Sequence, residues 1–120
     1  VKISLNLGQN DTYTSDVDRE KALERNVAAC RKGDWEAKAR LLNTFMPLLT
    51  SLARRRSSET AAINRYIEAG KEGLLVAARH YRESHSAKFQ IFALGYIENA
   101  MNQANRRGLL ARFLSLFRQR

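Results

Sequence analysis

Residues 65–101 read RYIEAGKEGLLVAARHYRESHSAKFQIFALGYIENAM, and two helical patterns meet within them. The first belongs to a segment expected over 60–82, where Ile63, Ile67, Leu74, Ala77, Ala78 and Tyr81 recur near one face. Gly70 and Gly73 fall inside it, so the segment must bend there or let another backbone come close. Ser84, His85 and Ser86 make a short polar linker. A second helix is expected over 87–104, with Phe89, Phe92, Ala93, Tyr96, Ile97, Ala100 and Met101 at helical spacing.

Working outward, Asp34 is placed to cap a helix that carries Trp35, Ala39, Leu42, Phe45, Leu48, Leu49 and Leu52 as an apolar stripe. Pro47 should bend this helix, because it lacks the N–H donor and crowds the carbonyl one turn back. Arg54, Arg55 and Arg56 close it, where the helix dipole favours cations, and Ser57 and Ser58 mark the break. An earlier helix over 18–32 offers Ala22, Leu23, Val27 and Cys30, and Gly33 makes the turn that follows. A last segment, 107–120, carries Leu109, Leu110, Phe113, Leu114 and Phe117 beside Arg112 and Arg118. The pattern is an all-α, compact helical bundle over 21–106, with a flexible acidic tail at 1–20 and a basic amphipathic helix at 107–120.

Composition narrows the function. The 120 residues fit one domain, and no apolar run approaches the roughly 18 residues that cross a bilayer. Lys and Arg number 21 against 12 Asp and Glu, a net charge of +9 that favours nucleic acid, an anionic membrane or an acidic protein as partner. Cys30 is the single cysteine, so an intrachain disulfide is excluded. The N-terminus lacks a signal-peptide pattern, and a cytoplasmic setting is expected. His80 and His85 lack metal-site spacing, no phosphate-cradling loop is present, and no carboxylate pair stands out as acid and base. A binding protein without cofactor is expected rather than an enzyme.

In this order and spacing, the glycine-punctuated run Ile67-Glu68-Ala69-Gly70-Lys71-Glu72-Gly73-Leu74-Leu75, followed by Lys88-Phe89-Gln90-Ile91-Phe92-Ala93, resembles conserved region 2 of bacterial sigma factors of the housekeeping superfamily. LLNTFMPLLTSLARR at 41–55 looks like the preceding helix of that region. The resemblance covers about 26–105 and has no counterpart here of the C-terminal promoter-recognition domain. It implies a helical domain that docks on the clamp of the RNA polymerase core and handles the −10 promoter element.

The resemblance assigns Arg65, Glu68, Lys71 and Glu72 to the polymerase-facing side. It also departs from the family, because Arg65 and Ala69 stand where acidic residues are usual. Phe89, Phe92 and Tyr96 fall among the family's strand-separation aromatics, Gly95 replaces one ring of an aromatic pair, and Glu98 stands where a basic or polar side chain is typical. Lys88 and Asn99 belong to the same candidate DNA face. From charge alone, Arg54, Arg55 and Arg56, with Arg106 and Arg107, are candidates for phosphate contact. The alternative is a helical adaptor or antagonist of transcription that has lost promoter melting. The last segment could pack on the bundle, dock on a protein partner or a second copy, or lie at an anionic membrane, which ranks lowest.

Overall fold

A computed structural model describes residues 16–82 and 88–118, with side chains placed for 17–82, 88–108 and 114. Four helices follow in order: α1 (Asp16–Arg31), α2 (Trp35–Arg56), α3 (Thr60–His80) and α4 (Phe89–Arg118). There is no strand among the described residues. The architecture is the all-α bundle expected.

Local chemistry sets most boundaries. Gly33 adopts φ +101°, a left-handed conformation that glycine takes without penalty, and it ends the α1 turn. Asp34 Oδ1 then accepts the N–H groups of Glu36 at 3.0 Å and Ala37 at 3.3 Å, the cap that its position foretold. α2 runs through Pro47 without interruption and closes on its three arginines. The Tyr81 N–H donates to the Ala77 carbonyl at 2.8 Å as the C-cap of α3, which ends at His80, two residues short of the expected Arg82.

Three features differ from expectation. α1 begins at Asp16, so 16–20 is helical rather than tail; acidic residues in a first turn are favoured by the exposed N–H groups of a helix start. The tail's remaining residues, 1–15, and the linker serines and His85 lie outside the described residues. The segment at 107–118 is not a separate helix but the continuation of α4. Gly108 has open space around it, and no proline intervenes to stop the ladder. On α2 the buried row is Ala37, Leu41, Phe45, Leu49, Leu52 and Ala53, whereas Trp35 is 73% exposed and Ala39 is exposed. Phe45, Leu49 and Leu52 of the expected stripe lie in this row and Leu42 and Leu48 pack against the core, so the expectation fails only in the first turns, where Ala37 and Leu41 are buried in place of Trp35 and Ala39.

The core joins Val27 of α1, the α2 row, Leu74, Ala77 and Ala78 of α3, then Tyr81, and Phe89, Ala93, Ile97 and Met101 of α4. α3 packs most extensively on α4. Their approach depends on Gly73, where an added Cβ would lie 2.6 Å from the Tyr96 carbonyl oxygen and 3.1 Å from the Ile97 Cα. Those are backbone atoms and cannot rotate away. At Gly70 the neighbours are the side-chain ends of Leu49 and Met101, 2.8 and 2.9 Å away.

The two kinds of glycine should therefore respond oppositely to alanine. Gly73→Ala should destabilise the fold by about 1–3 kcal/mol through overpacking. Gly95→Ala, at an exposed site with nothing within 4 Å, should stabilise it by about 0.5–1 kcal/mol through helix propensity. Urea titration of the two variants checks both signs.

Candidate macromolecule-binding faces

The outer face of α3 presents Arg65, Glu68 and Glu72 at spacings of three and four, all exposed. They line a shallow groove together with Asn64, Ala69, and Ala104 and Arg107 of α4. Lys71 pairs with Glu68 at 3.0 Å across one turn. Glu68 stays 71% exposed in that pair, which at a surface is worth at most about 1 kcal/mol and can be exchanged for a partner's cation. Ala69 is buried, so the charge on this face comes from its neighbours. The fold thus brings the four polymerase-facing candidates into one neighbourhood. It also sets Arg107, expected on a nucleic-acid face, beside Glu68 and Glu72.

The three arginines ending α2 separate into two roles. Arg54 and Arg55 are exposed and border an open groove with Asn43, Met46, Pro47, Thr50 and Ser51. Pro47 has no N–H to offer the Asn43 carbonyl, so one helical acceptor there lacks its usual donor. Arg56 instead turns toward the bundle. Its guanidinium lies 5.7 Å from the Tyr66 ring centroid, and Nη1 donates to Asn102 Oδ1 at 2.8 Å. Tyr66 Oη donates in turn to Asn105 Oδ1 at 3.0 Å. Arg56 therefore straps α2 to α3 and α4, a structural role that Arg54 and Arg55 do not share.

The aromatic candidates also divide. Phe89 is 1% exposed, with its ring edge-on to Phe45 at 5.8 Å and Tyr81 at 5.2 Å. A base cannot reach it, so Phe89 is a core residue and not a nucleic-acid contact. Phe92 is half-buried between Tyr81 at 5.3 Å and Tyr96 at 5.1 Å. Tyr96, also half-buried, stacks on His80 at 6.0 Å with the rings 19° apart. The rings form a stair from the core to the surface, and Tyr96 and His80 are its top step. Lys88 is exposed and pairs with Glu20 of α1 at 2.6 Å. Asn99, Arg106 and Arg107 are exposed on α4.

Sequence reasoning missed the His80–Tyr96 stack and a second anchor at the end of α3. There Arg31 Nη1 donates to the Tyr81 carbonyl at 2.8 Å, and Tyr81 Oη donates to Glu24 Oε2 at 3.1 Å. These partners lie 50 and 57 residues apart, and no local pattern announces them. Burial pushes the Cys30 thiol up from its ordinary value, and Lys38 and Arg79 offset only part of that rise. The thiolate is thus disfavoured in the fold. No group of His, Cys, Asp and Glu that could hold a metal ion exists among the described residues.

About four-fifths of the chain is similar to a region of bacterial sigma factors. It is 31% identical over 98 residues to RNA polymerase sigma factor SigA of Listeria monocytogenes, an alignment covering 82% of this chain and 25% of that protein. It is 27% identical over 105 residues to RNA polymerase sigma factor SigA of Synechocystis, covering 78% of this chain and 25% of that one. The chain spans about a quarter of the length of these curated relatives. No protein-family model and no solved structure matches it.

Two outcomes follow from the geometry. Arg56→Gln should cost about 1–2 kcal/mol, from one charged hydrogen bond and a cation–π contact, while Arg54→Gln and Arg55→Gln should stay within about 0.5 kcal/mol of the parent; thermal denaturation separates them. Because the folded Cys30 thiol titrates above its unfolded value, its contribution to stability is complete below the ordinary thiol range and is lost as pH rises through the folded pKa. Iodoacetamide should accordingly modify Cys30 more slowly at pH near 8 in the folded protein than in urea; equal rates would contradict the burial described.

Proposed function

We propose that this chain is a sigma-factor-like domain of bacterial transcription that docks on the RNA polymerase core through the outer face of α3. The single observation that carries the reading is the similarity of about four-fifths of the chain to sigma factor SigA. In this reading Glu68 and Glu72 supply anionic contacts to a basic surface of the polymerase clamp, and Lys71 releases Glu68 on docking. Arg65 is positioned to meet an acidic group beside them. The site works by binding, and no catalytic step is assigned to it. The setting is cytoplasmic.

Promoter DNA is the second partner in this reading. Arg54 and Arg55 at the end of α2, and Lys88, Arg106 and Arg107 on α4, neutralise phosphates, which holds a strand without reading its sequence. Tyr96 and Asn99 are the groups left to meet a base, Tyr96 by stacking and Asn99 by hydrogen bonds. The edge-on ring contacts of Phe92, the burial of Phe89 and the open space at Gly95 favour a second reading. In it the domain holds the polymerase as an adaptor or antagonist and does not melt the promoter.

The test is co-purification of the full chain with core RNA polymerase, alongside anisotropy with a single-stranded promoter oligonucleotide. Glu68→Lys should weaken core binding at least about tenfold, since a like charge would then face the partner's cation. Core binding that is absent, or unchanged by Glu68→Lys and Glu72→Lys together, would sink the docking reading. Replacing Arg54 and Arg55 by Gln should lower the slope of log affinity against log salt by about 1.4, about 0.7 for each phosphate contact on a single strand. Core binding with no oligonucleotide affinity would select the adaptor reading.

A further inference from the structure

We propose that the notch between the end of α2, the start of α3 and the passing flank of α4 is an anion site that takes a phosphate group. The cavity there measures about 200 Å³ and is more enclosed than the open grooves along α2 and α3. Arg56, Ser57, Glu59, Arg65, Tyr66 and Asn105 line it, with two alanines and a glycine completing the wall. At roughly 30 Å³ for each liquid water, the space holds a tetrahedral oxyanion together with a few waters.

The ligand class follows from the donors and acceptors on that wall. Asn105 Oδ1 already accepts from the Tyr66 hydroxyl at 3.0 Å, which leaves the amide NH2 of Asn105 without a partner among the described residues. Ser57 Oγ accepts the Glu59 N–H at 3.1 Å and keeps its own O–H to donate. Arg56 commits one N–H group to Asn102 and one face to Tyr66, so other donors of its guanidinium are still open. Arg65 is exposed and makes no side-chain hydrogen bond or ion pair among the described residues. The acceptors are thus in use while the donors are not. Glu59 is the exception. Its carboxylate stands exposed on the rim, caps no N–H of α3 and pairs with neither arginine among the described residues. Two guanidiniums against one carboxylate leave the notch cationic, and the ligand that accepts from a hydroxyl, an amide and two guanidiniums together is an oxyanion. A phosphate spreads its acceptor oxygens tetrahedrally, so it meets donors arriving from three helices, which a planar carboxylate does less well. The group is either free phosphate or the end of a phosphomonoester.

Titration of the isotope-labelled full chain with inorganic phosphate, followed by amide NMR shifts at an ionic strength held constant with sodium chloride, tests this. Saturable shifts centred on residues 57–66 and 104–108 are expected, and sodium chloride alone should not produce them. Arg65→Gln should weaken the affinity at least about fivefold, through loss of a charged hydrogen bond, and Glu59→Gln should tighten it about twofold by removing the opposing charge on the rim. Both positions are exposed, so both variants should keep the parent's thermal midpoint. Shifts that never saturate, or that chloride reproduces, would overturn the proposal. So would an affinity that Arg65→Gln leaves unchanged or that Glu59→Gln lowers. A further titration with O-phosphoserine identifies the source: shifts of the same amides admit a phosphomonoester, whereas their absence restricts the site to free phosphate, and either result upholds it. No polymerase or promoter enters the experiment, so its outcome stands apart from the docking reading above.

Discussion

Everything on the surface of this bundle is positioned by one close approach, the Gly73 backbone against α4 at Tyr96 and Ile97. A side chain at 73 would meet a carbonyl oxygen and a Cα, neither of which can move without moving α4 itself. Because the helices touch backbone to backbone there, α3 cannot turn about its axis, and Glu68 and Glu72 stay outward while Leu74, Ala77 and Ala78 stay in the core. The same contact holds α4 in register, so that Phe89, Ala93, Ile97 and Met101 are inward and Asn99 is outward. The polar straps around Arg56 and around Tyr81 then tie α2 and α1 to this pair.

The allocation of residue types follows from that frame. Aromatic rings that look interchangeable in the sequence occupy successive depths, from Phe89 in the core to Tyr96 beside His80 at the surface. Only the outermost steps can serve recognition. The arginines divide in the same way, since consecutive residues on a helix point about 100° apart: Arg56 faces the neighbouring helices, whereas Arg54 and Arg55 face solvent. A basic cluster is thus part structural strap and part available charge. This division limits how many phosphates the end of α2 can hold.

Much of this was legible in the order of residues. Asp34 after Gly33 announced a cap, and the pair Gly70 and Gly73 announced either a bend or a close approach, of which the structure shows a backbone approach at Gly73. The helical class followed from periodicity. What misled was local ambiguity. At the start of α2, Trp35 and Ala39 fit a three- and four-residue rhythm as well as Ala37 and Leu41 do, and the large Trp35 drew the first turns of the stripe to the wrong row. The phase change in the apolar pattern after Met101 read as the start of a new helix, because a pattern that changes phase along one helix looks like two helices when only spacing is considered. The long-range straps were illegible in principle, since Arg31 and Tyr81 meet only once the chain has folded.

The most direct test of the account is a nuclear Overhauser measurement on the full chain between the Gly73 α-protons and the protons of Ala100 and Ile97. The structure puts a Cβ at position 73 within 2.9 Å of the Ala100 Cβ and 3.1 Å of the Ile97 Cα, so strong cross-peaks from Gly73 to the Ala100 methyl and the Ile97 α-proton are expected. Their absence from a folded sample, with Gly73 contacting other residues instead, would contradict the arrangement on which both faces depend.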